Sequence, residues 1–224
     1  ALRFVTGVGC AVVAVALAAA VLLLPEPAPS LAPAAVADLR AIGVGNPITG
    51  VLMAYRALDT LLEKVVLVLA LIGVWSLAPD SLWGGAPGPH HPGERDDALV
   101  FLARLLVPFG IVIGVYLLWV GKDEPGGAFQ GGALLAAMWL LAMMAGLAKA
   151  PPTRRRWLRL VLVTGPVVFL AIGLAGFALA GAFLAYPKAY ATPLIIVIEV
   201  VLTLSIAAIL GLLVAGPSAR VPPR

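Results

Sequence analysis

Six stretches of this chain are apolar for long enough to approach the width of a lipid bilayer, and no other feature limits the fold more. They run over residues 4–24, 48–77, 98–120, 132–148, 158–182 and 193–215, against the ~20 apolar residues that cross ~30 Å of hydrocarbon. Inside hydrocarbon every backbone polar group has to be answered within the protein, so such stretches are read as helices. The expectation is an all-α integral membrane protein with about six transmembrane helices. Composition agrees, since 62% of residues are hydrophobic and 12% are charged, where a soluble domain carries about 25% charged residues. The first block follows Arg3 like a signal peptide, but its apolar part runs ~20 residues rather than the 7–15 of a signal core, so it is read as a retained span. The second is too long for one straight span. Its first two turns are expected to lie in the interface, or the helix to break near Arg56 to Thr60.

A formal charge of +4 raises the question of a nucleic-acid partner. The basic residues, however, collect in KAPPTRRRWLR (149–159) and near the termini, with no basic–aromatic stripe. Nucleic acid is therefore not expected, and the charge reports topology. The positive-inside rule places that short loop on the cytoplasmic side. With six spans, Arg3, Arg95, Arg104, Lys149, Arg154 to Arg156, Arg159, Arg220 and Arg224 all fall inside, which gives an N-in, C-in arrangement. Only Arg40, Lys122 and Lys188 are left in outer loops. Cys10 is the single cysteine, which excludes an intrachain disulfide and a CxxC cluster. His90 and His91 adjoin in a Gly/Pro loop without a third ligand, and no nucleotide-loop, zinc-protease or nucleophile–His–Asp pattern occurs. No metal, cofactor or bond-breaking activity is expected.

Charged residues within apolar blocks are costly, and they mark function or burial. In NPITGVLMAYRALDTLLEKVV, Arg56, Asp59 and Glu63 are spaced i, i+3 and i+7, with Lys64 flanking the same helical face. The group either lies at headgroup level with Arg56 and Lys64 snorkelling, or forms a relay or intersubunit anchor. Glu199 lies about two turns into ATPLIIVIEVVLTLS with no basic neighbour. It is either a neutral, hydrogen-bonded acid packed on another helix, or a protonatable step or partner for a distant cation. The connector GKDEPGGAFQGG (121–132) is the third place. Pro125 stops the preceding helix, while Gly126, Gly127, Gly131 and Gly132 allow close backbone approach. Gln130 is available to irregular backbone and Phe129 to plug the fold. The loop is either an outer hairpin or the lining of a cavity.

EPGGAFQGGALLAA, followed later by TPLIIVIEV with its Glu199, resembles the signature of the MnhB/MrpB-type subunit of multisubunit cation/proton antiporters. The resemblance covers about residues 98–216. Upstream, Asn46, Thr49, Tyr55, Arg56, Asp59, Thr60 and Glu63 resemble a motif of the carboxy-terminal extension of the antiporter A subunit. That extension is a separate E-like subunit in membrane-bound hydrogenases. The implied organisation is a two-span module over 1–80, a linker over 81–97, a four-span B-type module over 98–216 and a tail over 217–224. Two departures stand out. Ala128 replaces a common Gly, and Lys64 stands at a usually apolar position, where it could pair with Glu63. The resemblance implies a non-catalytic subunit in a bacterial or archaeal cell membrane. Its partners would be other Mrp-type membrane subunits, the lipid bilayer, and Na+ or H+. Redox-driven membrane arms and an Mrp-like inorganic-carbon system are the alternatives it leaves open.

Overall fold

The computed structural model describes residues 2–24, 30–88 and 97–220; His90, His91 and the rest of 89–96 in the linker lie outside them. Two units divide the chain. The first, Ala1–Val36, holds helix α1 (Leu2–Leu22), uncharged over Phe4–Leu22. A short helix α2 (Ala32–Ala37) ends at the start of the second unit, Ala37–Arg224. That second unit contains α3 (Leu39–Ile42), α4 (Pro47–Gly50), a π-helical turn (Val51–Tyr55), α5 (Ala57–Trp75), α6 (Asp97–Val120), α7 (Ala128–Met144), α8 (Arg156–Ala180) and α9 (Ala191–Ala215). Strands β1 (Ala86–Pro87) and β2 (Ser218–Arg220) form a two-stranded antiparallel ribbon.

The expectation of six spans is not met. Among the described residues four helices are long and apolar enough to cross a membrane: Phe4–Leu22, Asp97–Val120, Arg156–Ala180 and Ala191–Ala215. The block 48–77 fails because the chain breaks at the π turn, and α5 beyond it carries Asp59, Glu63 and Lys64 in its first eight residues. The block 132–148 fails on length, since α7 has 17 residues and reaches about 26 Å.

Helix α9 is the centre of the second unit. It is apolar all round, and Ile195, Ile198, Leu202, Ile206, Ile209 and Leu212 are fully buried, as expected of a helix surrounded by others. Helices α7 and α8 both pack on it, α6 packs on α7, and α5 lies against α8 and α9. Small residues set the approach distances. A Cβ at Gly132 would stand 2.8 Å from Ile206 Cγ2 and 3.0 Å from the Thr203 carbonyl, and one at Gly131 would stand 2.8 Å from the Gly114 carbonyl.

Prolines within the helices leave carbonyls that need other donors. Pro166 lies inside α8 and cannot donate to Leu162, four residues back; the Ser205 hydroxyl on α9 donates to that carbonyl instead, at 2.6 Å. Ser205→Ala is therefore expected to cost about 1 kcal/mol. In a thermal melt of the detergent-solubilised protein this would lower Tm by about 2–4 °C.

Candidate functional site

The connector after α6 is held by residues far upstream of it. Helix α6 ends at Val120, five residues before Pro125, so the glycine turn rather than the proline terminates it. The backbone N–H groups of Gly45 and Asn46 both donate to the Lys122 carbonyl at 2.9 Å. Asn46 Nδ2 donates to the carbonyls of Gly121 (3.1 Å) and Glu124 (2.8 Å), and the Thr49 hydroxyl donates to Gly121 at 2.5 Å. Asn46 Oδ1 meanwhile accepts from Ile48 N–H and caps α4. The Gly-rich turn is thus a docking surface for Asn46 and Thr49. Gln130, the residue expected to serve this backbone, is exposed, and Lys122 pairs with Asp123. Gly127 has φ +115° and ψ −175°, a conformation open in practice to glycine. Its N–H donates to Leu117 at 2.8 Å, which closes the turn into α7.

Because Asn46 makes two donated bonds and one accepted bond, Asn46→Ala is expected to cost about 2–4 kcal/mol through unanswered carbonyls and a lost cap. Hydrogen exchange at the amides of residues 121–127 should speed up with the loss.

The break before α5 is repaired in the same way. The Thr60 hydroxyl donates to the Leu52 carbonyl at 2.6 Å, and the Tyr186 hydroxyl donates to Met53 at 2.8 Å. Burial holds the Tyr186 phenol well above its usual pKa, so it stays an O–H donor. These two carbonyls are answered by hydroxyls. A cleft of about 250 Å³ opens at the break, lined by Asp38, Tyr55, Tyr186 and Lys188 among apolar groups. Neither Lys64 nor Glu199 lines it.

The four charged residues around the start of α5 do not form one cluster. Arg56 and Asp59 pair at 2.6 Å with both side chains exposed. Glu63 is half-exposed, its side chain at 51%, and accepts from Lys64 Nζ at 3.0 Å. Lys64 lies on the opposite, inward stripe with Ala57, Thr60, Leu61 and Leu71, and it is 4% exposed. Its ammonium sits 4.8 Å from the centroid of the Phe129 ring, within cation–π range. Phe129 is itself 42% exposed, so it is a platform for Lys64 more than a plug.

Glu199 is 5% exposed on α9. The Ala128 backbone N–H, first of α7, is directed at its carboxylate, and a Cβ at Gly127 would come within 3.4 Å of Oε1. A helix N-terminus favours negative charge. The first turn of α7 therefore receives an acid at Ala128 and an ammonium at Phe129, and it brings Glu199 and Lys64 to adjacent residues. Among the described residues no basic side chain pairs with Glu199 within 4.0 Å. The Thr203 hydroxyl donates to the Glu199 carbonyl at 2.7 Å. Three partnerships were not apparent from the sequence: Asn46 and Thr49 with the connector, Tyr186 with Met53, and Ser205 with Leu162. Their signal was the presence of hydrogen-bonding side chains in otherwise apolar segments.

Fold and site together define a multi-pass helical membrane protein with two buried ionisable groups, Lys64 and Glu199, seated at one helix start; among the described residues no three His, Cys, Asp or Glu side chains gather to hold a metal. The chain belongs to the family described as "Domain related to MnhB subunit of Na+/H+ antiporter", whose model matches residues 98–219. The matched region, residues 98–219, is thus related to a membrane subunit of Na+/H+ antiporters. An uncharacterized protein of Methanocaldococcus jannaschii is 30% identical over 156 residues, which is 63% of this chain and 60% of that protein's length. Two solved structures share the fold. A chain of the Mrp complex from Dietzia sp. DQ12-45-1b has a TM-score of 0.67 at 23% identity, over 97% of this chain and 26% of that one. A chain of the membrane-bound sulfane sulfur reductase, an archaeal respiratory membrane complex, has a TM-score of 0.70 at 24% identity, over 95% of this chain and 96% of that one.

Proposed function

We propose that this chain is a subunit of an Mrp-type cation/proton antiporter, in which residues 1–80 form an A-extension or E-like module joined through 81–97 to a B-type module over 98–216. Glu199 and Glu63 serve an ion or proton path, Lys64 braces it, and Arg56 with Asp59 anchors a neighbouring subunit. The observation that carries this reading is the seating of Glu199 at the start of α7 next to the platform of Lys64. A buried carboxylate without an ion-pair partner is costly to keep charged in an apolar span, so it is a natural place for a proton to come and go. The docking of Asn46 and Thr49 on the connector supports a joined role for residues 37–80 and the B-type module. The exposed Arg56–Asp59 pair suits an intersubunit contact, since a neighbour would cover it.

A second reading, a membrane arm of a redox-driven complex, is favoured by the likeness to the sulfane sulfur reductase chain over almost its whole length. Mass spectrometry of the assembly purified in mild detergent separates the two. Large antiporter-like membrane subunits alone are expected. Co-purifying iron–sulfur or other redox subunits would replace the first reading with the second.

A further inference from the structure

We infer that Lys64 is a tethered cation that sets ion specificity: it keeps free metal cations away from Glu63 and leaves that carboxylate to protons. The inference rests on the reading that Glu63 belongs to an ion path.

Lys64 stands where the packing pattern of α5 calls for an apolar residue. Ala57, Thr60, Leu61, Lys64 and Leu71 make one buried stripe at helical spacing, and a leucine or methionine would fill the position without a buried charge. Burying an ammonium needs compensation, and here it comes from two groups of different kinds. One is Glu63 Oε1 at 3.0 Å. The other is the face of Phe129, with the ring centroid 4.8 Å from Nζ. An aromatic face attracts a cation electrostatically but offers no lone pair for ligation. The ammonium is therefore held by one carboxylate oxygen and by a ring that cannot ligate an incoming metal ion.

A hard cation such as sodium needs several oxygen ligands, and its approach is opposed by like charge at short range. At Glu63 it meets three N–H donors and a ring on the inner side, with positive charge already in contact with one carboxylate oxygen. A proton is not excluded in this way. It bonds to the second oxygen of Glu63 and converts the carboxylate to the acid. It then leaves to water or a neighbouring base and restores the carboxylate, while the contact of Lys64 with the first oxygen persists. Glu63 is half-exposed, so that second oxygen is reachable from outside this chain.

The test uses the whole complex in sealed membrane vesicles and measures ΔpH-driven exchange against sodium concentration for wild type, E63Q, K64M and K64M/E63Q. Lys64→Met keeps length and packing and removes the charge. K64M is expected to lower the apparent KM for sodium about tenfold, the effect of lifting one nearby repulsion. Glu63→Gln is expected to lower exchange itself, because Glu63 carries protons, so the double variant is read by sodium binding to the purified complex: the tighter binding of K64M should be lost in K64M/E63Q. An unchanged sodium KM in assembled K64M complex overturns the inference, as does weaker sodium binding in E63Q than in wild type, which would mean that sodium already uses Glu63. If K64M does not assemble, as judged on native gels, K64Q carries the same two expectations. The underlying reading fails separately: normal exchange in E199Q and E63Q would remove the path itself, whatever Lys64 does.

Discussion

Gly132→Leu is expected to yield no folded chain and no assembled complex. A single added carbon at this position would already stand 2.8 and 2.9 Å from Ile206 and 3.0 Å from the Thr203 carbonyl. The last of these is backbone, which cannot rotate out of the way. Overpacking by one methylene costs about 1–3 kcal/mol, and leucine adds four carbons where even the first does not fit. Separating α7 from α9 would remove the contact that centres the second unit. It would also withdraw Ala128 from Glu199, because both belong to the same pair of helices. Gly73 on α5 provides the control, since nothing lies within 4 Å of a Cβ placed there. Gly73→Leu should leave the yield of monodisperse protein, read by fluorescence-detected size exclusion, close to wild type, while Gly132→Leu should remove the peak.

The apolar blocks at 98–120, 158–182 and 193–215 are legible in the sequence because hydropathy over ~20 residues is a local property. Their positions lie within about two residues of α6, α8 and α9, whose starts and ends are Asp97–Val120, Arg156–Ala180 and Ala191–Ala215. Two other blocks were misread for opposite reasons. Residues 48–77 are apolar on average, but the break at Val51–Tyr55 is permitted by Thr60 and by Tyr186, which lies 133 residues away from Met53. Such distant repair leaves no trace in a hydropathy window. The connector was assigned glycines as far as Gly132, yet α7 already begins at Ala128. Gly131 and Gly132 are poor helix formers, and they belong to the helix because α6 and α9 come too close for side chains.

The site shows the same division. Residue spacing set apart Lys64, Glu63 and Glu199 as the unusual groups in their apolar blocks, since charge in an apolar run is visible at once. Spacing also placed Arg56, Asp59, Glu63 and Lys64 around one face. In the structure Lys64 turns inward, while Arg56, Asp59 and Glu63 remain on the outside. What joins Lys64 to Glu199 is the first turn of α7, through Phe129 and Ala128. That meeting depends on three helices, α5, α7 and α9, that are distant in the chain, and only packing brings them together. The family motif pointed to Asn46 and Thr49 as important without indicating their partner, which is the connector itself.

The most direct test of the ion-path account is Glu199→Gln in the intact complex, with exchange driven by ΔpH in sealed vesicles and assembly checked on native gels. Glutamine has nearly the same size and can still accept from the Ala128 N–H, so the packing of α7 on α9 should persist. It cannot take up or release a proton. If Glu199 passes protons, flux should fall by about 10²-fold, the typical contribution of a positioned proton-transfer group, and Glu199→Asp should recover part of it. Wild-type flux in fully assembled Glu199→Gln complex would contradict the account and leave Glu199 a packing residue.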